Sequence, residues 1–421
     1  MEHFEKIIGY DEIKQELEIY LDMMKCLDKY AKLGVRLPRG IMFEGFPGLG
    51  KTLMAESFIK ASGWRCYTCR KHNKEGVFLT ELTDVFRTAA EHEPAIVFLD
   101  DMDKFSNEDK SKCDTDTYVT IQTEMDNVRE KNILVVATVN DRFKLPQSLI
   151  RAGRIEKCLE FKIPDAEATK NIVKYYLSKK STVEDMDVCE IAGLLGGGTC
   201  ADLEEVLNDA ASHAAFQNKE KITMDDIIKA CLRKKHIEPE GIIDTENSYV
   251  KRVAYHEAAH ALVAEKLGQG EVCLVALGRR NGYICGKTSL CEDKWAFHSA
   301  RMLRNRIKID LAGRAAIEMV FGGTDMGTKK DYFSAYETAK ELVCRYGLYG
   351  LGLISPVGRS DLSEQRLHQQ EQAVSAELER NYEETKRLLG EHRETLDKVA
   401  QKLLQKKILL KKDIEELICG Q

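Results

Sequence analysis

The chain has 421 residues and a formal net charge of -6, with 43% hydrophobic and 31% charged residues. That length suggests two or three domains, and the composition is that of a globular protein with ample apolar material for its cores. It excludes the basic footprint of a nucleic-acid binder. It also excludes a spanning helix, since no apolar stretch approaches the roughly 20 residues one needs.

The charged opening Met1-Glu-His-Phe-Glu-Lys lacks the apolar core of a signal peptide. The 13 cysteines, scattered from Cys26 to Cys419 without a dense framework, fit a reducing cytoplasm. Cys66 and Cys69 form one CxxC, read as reduced thiols buried in a strand.

The first half alternates helix and strand. Asp11–Ala31 reads as an amphipathic helix, Arg39–Gly45 as a short apolar strand and Lys51–Ser62 as a helix. Ala95–Asp100 and Asn132–Thr138 read as two more buried strands. Buried strands alternating with helices predict an α/β fold, a parallel sheet covered on both faces. Asp165–Lys179 and Asp202–Gln217 read as helices of a following helical subdomain. Lys234–Ser248 is polar, without a clear period, and is a candidate linker. From Tyr249 the chain is mainly helical, with a β-prone insert at Val272–Thr288 and a charged helical stretch at Leu362–Lys412.

Gly45-Phe-Pro-Gly-Leu-Gly50-Lys51-Thr52 matches the phosphate-loop pattern between a strand and a helix. Pro47, Gly48, Leu49 and Gly50 form the loop, with Leu53 in the first helical turn. Glycines let backbone N–H groups approach phosphate oxygens, and the helix start adds its positive end. Lys51 can neutralise the β- and γ-phosphates of ATP, and the Thr52 hydroxyl can ligate magnesium. The apolar strand at 95–99 ends in Asp100, suited to the magnesium shell, and Asp101, suited to orienting water.

His256-Glu257-Ala-Ala-His260 is the second strong pattern. Helix positions four apart share a face, so both imidazoles can reach one zinc ion, with Glu257 close enough to act on water there.

These motifs resemble the AAA+ ATPases, and more narrowly the FtsH-type AAA proteases, along nearly the whole chain from Phe4 to about Leu417. The resemblance implies further roles. Ile7, Ile8 and Gly9 would flank the adenine. Asn140, at the end of a sensor-like strand, would position the attacking water. Arg151 and Arg154 would be arginine fingers reaching the nucleotide of a neighbouring subunit. Ala201 falls in the second sensor region. Asp331, in Gly327-Thr-Lys-Lys-Asp331, would be the third zinc ligand, with His298 and Glu318 as competitors and a helix N-cap as the plainer role for Asp331.

The implied architecture is an AAA+ α/β subdomain over 1–164, a helical lid over 165–233, a linker over 234–248 and a mainly α-helical zinc peptidase domain over 249–421. The implied activity is ATP-dependent proteolysis of polypeptides by a homo-hexamer, with Zn, Mg and ATP as cofactors and no nucleic-acid partner. Alternatives are a remodelling ring with little proteolysis, or a peptidase for unfolded chains that ATP regulates.

Four features depart from the family pattern. No amino-terminal membrane anchor precedes the ATPase, which implies a cytoplasmic chain, or a membrane-associated one whose anchor has been removed. The second Walker B carboxylate is Asp101 rather than Glu. The pore-loop stretch Asn73-Lys74-Glu75-Gly76 lacks the family's aromatic, and Phe78 follows it. Cys200-Ala201 replaces Gly-Ala.

Overall fold

A computed structural model of the protein describes residues 2–71, 75–105, 115–180, 185–238, 243–268, 271–291, 299–323, 326–346, 364–418 and 420. Two compact units result, Met1–Ser181 with Gly198–Glu205, and Thr182–Gly197 with Val206–Gln421.

The first unit opens with α1 (Asp11–Lys25) and α2 (Leu27–Ala31), then β1 (Gly40–Gly45), α3 (Lys51–Ser62), β2 (Arg65–Cys69) and α4 (Glu75–Glu91). It continues through β3 (Ala95–Leu99), α5 (Thr115–Asn127), β4 (Ile133–Val139), β5 (Lys157–Phe161) and α6 (Ala166–Ser178). The strands form one parallel sheet in the order β2-β3-β4-β1-β5. Alternation along each central strand feeds two cores. Ile41, Phe43, Ile96, Phe98, Leu134 and Val136 pack with residues of α1 and α3 on one face. Met42, Val97, Leu99, Val135 and Ala137 pack with residues of α4 and α5 on the other. Both faces are therefore covered, as parallel sheets require. In register, Phe43 lies beside Thr138 and Leu99 beside Ala137, so β1, β3 and β4 end together. Ligands of such sheets bind beyond those carboxyl ends.

Several expectations change. The helix expected over Asp11–Ala31 breaks at Cys26, where φ is -130° and ψ 45°. The edge strands β2 and β5 escape a search for apolar runs because half their residues face solvent. Cys69 is buried in β2 but Cys66 is exposed, so the CxxC is not a buried pair. Asn73 and Lys74 lie outside the described residues, as does His298. Phe78 is fully buried and meets Phe105 edge-on at 4.9 Å, while its neighbour Val77 is 55% exposed.

The second unit contains α7 (Val188–Leu195), most of α8 (Cys200–Phe216) and α9 (Met224–Lys234), the last started by a capping box of Thr223 and Asp226. It then runs through α10 (Ser248–Leu267), β6 (Glu271–Arg280), β7 (Tyr283–Cys291), α11 (Ala300–Phe321), α12 (Lys329–Cys344), α13 (Glu364–Glu391), α14 (Arg393–Lys406), β8 (Ile408–Leu410) and α15 (Lys411–Ile418). The expected linker is partly docked. Ile237 is buried, and Glu238 bridges to Arg279 of β6. The three strands are antiparallel in the order β7-β6-β8, which leaves β7 at an edge. Helix α10 runs through the core, with Ala254, Ala258, Ala261 and Leu262 fully buried among residues of α11, α14 and β6. Among the described residues no helix is long and apolar enough to cross a membrane.

Candidate functional site

Helix α10 starts at Asn247, whose side chain accepts from the Tyr249 N–H, and it is continuous to Leu267. His256 and His260 therefore project from one face, one turn apart. Their Nε2 atoms lie 3.0 Å from each other. Asp331, in the first turn of α12, brings Oδ2 to 3.1 Å from His256 Nε2 and 3.7 Å from His260 Nε2. A tetrahedral zinc ion with bonds of about 2.0–2.1 Å spaces its ligand atoms about 3.3–3.4 Å apart, so the three atoms fit one ion. The N-cap of α12 is Thr328, so Asp331 is not the cap. Glu318 is held away by Tyr382 and Lys386.

Neighbouring groups hold these side chains. His260 Nδ1 lies 2.6 Å from the main-chain oxygen of Ile309, which commits that nitrogen to donating and leaves Nε2 for a metal. Burial pulls His260 down, but Asp331 and Glu257 outweigh it and raise its pKa. Burial pushes Asp331 up, yet hydrogen bonds from His256 and His260 hold its carboxyl well below the usual carboxylate range. The ligand set thus binds protons and metal in competition.

Glu257 is 8% exposed. The Thr288 hydroxyl of β7 lies 2.8 Å from Glu257 Oε2 and 3.0 Å from its main-chain oxygen. Two glycines make room. A Cβ on Gly286 would sit 2.3 Å from Glu257 Cγ, and one on Gly313 would sit 2.2 Å from His256 Nδ1. The site opens into a cleft of about 630 Å³ that Asp310 also lines. Burial raises the Asp310 carboxyl, while its hydrogen bond with Ser334 and the nearby Arg306 pull it down. Thr288, Gly286 and Asp310 line the site and were missed by motif reading, because each meets it only through a partner distant in sequence.

The nucleotide elements lie at the carboxyl ends of β1, β3 and β4. Lys51 Nζ donates to the main-chain oxygens of Gly45 (2.7 Å) and Phe46 (2.9 Å) and to Asn140 Oδ1 (2.9 Å). Burial draws its ammonium below the ordinary lysine value, against the opposing pull of Asp101, Asp103 and Asp100. Gly48 and Gly50 take φ of 82° and 86°, a region that favours glycine. The N–H groups of Gly48, Leu49 and Gly50 donate to no main-chain oxygen among the described residues, which suits a phosphate cradle. The Leu49 side chain is in the core, whereas Pro47 and Leu53 are exposed.

Asp100 Oδ1 accepts from Thr52 (3.1 Å) and Thr138 (2.7 Å). Asp100 Oδ2 is 2.7 Å from Arg70 Nη2, so magnesium can take that oxygen only after the guanidinium leaves. Asp101 pairs with Lys104 at 2.7 Å, and Asn140 Nδ2 lies 3.5 Å from Asp101 Oδ1.

Ile7, Ile8 and Gly9 border a cleft of about 530 Å³ with Asn171 and Lys174 of α6. The Ala201 N–H donates to the Gly48 oxygen at 3.0 Å, so the start of α8 rests on the phosphate loop. The two candidate arginine fingers differ. Arg151 is exposed. Arg154 is buried, with Nη2 on Asp126 at 2.7 Å and Nη1 on Gln122 Oε1 (2.6 Å) and the Ser148 oxygen (2.7 Å). Those bonds engage the Arg154 guanidinium within its own chain.

The family model for Peptidase family M41 matches residues 242–417, and that for the ATPase family associated with various cellular activities (AAA) matches residues 41–163. The chain is similar to "ATP-dependent zinc metalloprotease FtsH" of Thermus thermophilus, 30% identical over 447 residues that cover 99% of this chain and 70% of the relative. It is 29% identical over 433 residues to the protein of that name from Aster yellows witches'-broom phytoplasma, covering 99% of this chain and 64% of the relative. It is also 31% identical over 437 residues to "ATP-dependent zinc metalloprotease FtsH 2" of Sphaerobacter thermophilus, covering 99% and 66%. The chain belongs to the FtsH family. It spans about two thirds of the length of these curated relatives, from 64% to 70%.

The two glycines give this FtsH-family chain a paired test. Gly313→Ala displaces the His256 ring and should weaken zinc binding about 10–100-fold, the usual cost of disturbing a ligand's support. Gly286→Ala displaces Glu257 instead and should keep zinc while lowering peptide hydrolysis by about 10²-fold. Zinc titration and a peptide assay on both variants check this, and equal zinc loss in the two would contradict the assignment.

Proposed function

We propose that this chain is an ATP-dependent zinc metalloprotease that works as a ring, a homo-hexamer by family likeness. Residues 1–164 would bind nucleotide, 165–233 form the lid, 234–248 link, and 249–421 cleave polypeptides. The observation that carries the reading is the convergence of His256, His260 and Asp331 beside a buried, oriented Glu257.

Two imidazoles and one carboxylate leave a fourth position open, the pattern of a catalytic rather than a structural site. Zinc held there supplies Lewis acidity that makes water nucleophilic near neutral pH. Glu257 takes the proton of the attacking water and passes it to the leaving amine. The Thr288 hydroxyl fixes which carboxylate oxygen faces the water, and Ile309 fixes the His260 ring. β7, an edge strand among the described residues, lies beside Glu257 and would offer its outer main-chain groups to an extended substrate.

In the ATPase, Lys51 and the N–H groups of the loop would hold the phosphates. Asp100 and Thr52 would hold magnesium, and Asp101 and Asn140 would orient water. The cleft at Ile7, Ile8 and Gly9 suits the adenine, and Ala201 supports the loop. Arg151 would be the finger, while Arg154 positions the segment that carries it.

The variant reading, a peptidase for unfolded chains with ATP as regulator, is favoured by one observation. Phe78, the aromatic nearest the pore-loop stretch, is buried against Phe105 and has no surface with which to grip.

His260→Ala should abolish zinc binding and proteolysis while sparing ATP hydrolysis. Glu257→Gln should keep zinc and lose about 10²–10⁴-fold in cleavage, since an amide accepts no proton. Full proteolysis by Glu257→Gln would remove Glu257 from the mechanism.

Arg151→Ala should spare nucleotide binding and depress ATP hydrolysis by about 10³-fold or more. Rings mixed from Arg151→Ala and Lys51→Ala subunits contain some interfaces with both groups intact and should recover part of the activity. No recovery in rings verified as mixed would count against action between subunits.

Unfolded casein should be degraded far faster than a stably folded domain of similar length, and Lys74→Phe should improve the folded substrate more. Rapid ATP-dependent degradation of the folded domain by the unmodified protein would sink the weak-grip reading.

A further inference from the structure

The cleft at the candidate zinc site has a one-sided charge. Among the described residues its lining includes six cations, Lys235, Arg252, Arg280, Lys287, Arg306 and Lys330, against three carboxylates, Glu257, Asp310 and Asp331. Two of those carboxylates belong to the chemistry, and Asp331 is cancelled by the ion it would hold. Asp310 is raised by burial and faces Arg306. The cleft therefore presents positive charge to whatever enters.

Half of the cations have other work. Lys235 donates to Ser289 at 2.7 Å and is half-buried. Arg252 stacks on Phe321 at 4.9 Å, and Arg306 faces Asp310. Arg280, Lys287 and Lys330 are exposed and enter no ion pair with another described residue.

Position adds weight to charge. Lys287 stands between Gly286 and Thr288, which face Glu257. By strand alternation its stem leaves β7 on the opposite face, the one where Ser289 meets Lys235, and it can meet only those substrate side chains that point to that face. Lys330 is the chain neighbour of Asp331, which meets both histidines. Consecutive Cα atoms are about 3.8 Å apart, so both ammonium stems start within one residue of groups that contact the reacting centre. Lys287 also stands on edge strand β7, next to where an extended chain would add. Flexible four-carbon stems then let the charges follow side chains on either side of a scissile bond.

We propose that this cleft selects acidic segments of polypeptide, with Lys287, Lys330 and Arg280 reading aspartate and glutamate side chains flanking the cleaved bond. This rests on the zinc-protease reading for its consequence in cleavage, but the charge preference itself is a binding property. Clefts lined by one sign of charge focus the field and concentrate ligands of the other sign, an effect that salt screens.

The test uses the full chain, loaded with zinc and carrying Glu257→Gln so that bound peptide persists. Two labelled peptides of equal length, differing only in glutamate against lysine around a common central sequence, are compared by fluorescence anisotropy. The glutamate peptide should bind at least about tenfold more tightly at low salt, about 1.4 kcal/mol. The advantage should shrink at about 0.15 M salt. The double variant Lys287→Glu, Lys330→Glu should reverse the preference while retaining stoichiometric zinc and the unmodified ATPase rate. A double variant that loses zinc is replaced by the milder Lys287→Gln, Lys330→Gln, for which the preference should fall about to parity. Equal binding of the two peptides, or a preference that charge removal leaves intact, overturns the proposal. Hydrolysis is read separately with the Glu257-bearing chain. Normal preference in binding with neither peptide cut would refute the protease reading and leave the charge selection standing.

Discussion

The second unit is organised around two imidazoles a single helical turn apart on a helix that runs through the core. A buried helix carrying polar side chains is costly unless each polar atom finds a partner. Here the partners come from three other elements: the Ile309 oxygen on α11, Asp331 on α12 and Thr288 on β7. Such convergence needs close approach of main chains. Ala258 and Ala259 on α10 and Ala312, Ala315 and Ala316 on α11 are fully buried, and their small side chains let the two helices come together. Gly313 takes this to its limit, since even one methyl group would collide with the His256 ring. The alanine-rich stretch around the histidines is thus part of the site, because packing at this density leaves no room for a larger residue to be absorbed.

The first unit solves a related problem with one carboxylate. Asp100 is nearly buried at the end of β3, and its oxygens are tied to Thr52 from α3, Thr138 from β4 and Arg70 after β2. Three elements besides its own strand therefore set its orientation, which is possible because parallel strands end at one level. Thr138 is fully buried and serves twice, since its hydroxyl oxygen also accepts from the Asp101 N–H at 2.8 Å. Asp101 in turn takes a left-handed conformation, φ 55°, that turns its side chain out toward Lys104. The shorter second carboxylate is thereby held by the backbone and by a neighbouring ammonium.

The legible parts of this chain were those with local periodicity. The three central strands and α3 were marked by apolar runs and a glycine loop, and the two histidines by helical spacing. The edge strand β5 was hidden, and β2 was marked only by its two cysteines, because an exposed edge dilutes the apolar signal, as in Arg65–Cys69 with one buried residue. Helices α7 and α9 follow short polar stretches and were absorbed into the lid and linker. In the site, Asp331 was reachable only by likeness to a family pattern. Its pairing with His256, 75 residues away, leaves no trace in nearby sequence. Thr288 and Gly286 were invisible for the same reason. Phe78, which follows the pore-loop stretch in sequence, is a core anchor of α4.

Arg151 and Arg154 look equivalent in a sequence of repeated arginine spacing, and only burial separates them. The Arg154 guanidinium meets Asp126, Gln122 and the Ser148 oxygen, a set that uses its planar fork in a way a lysine could not match. Asp126 and Gln122 stand on α5, so these bonds tie the segment from Ser148 to Arg154 to a regular helix. Gly153, with φ 87°, allows the turn that sends Arg154 inward while Arg151 stays outside. A surface side chain keeps a defined place only when its segment is anchored, so the buried Arg154, through its bonds to α5, sets where the exposed Arg151 stands.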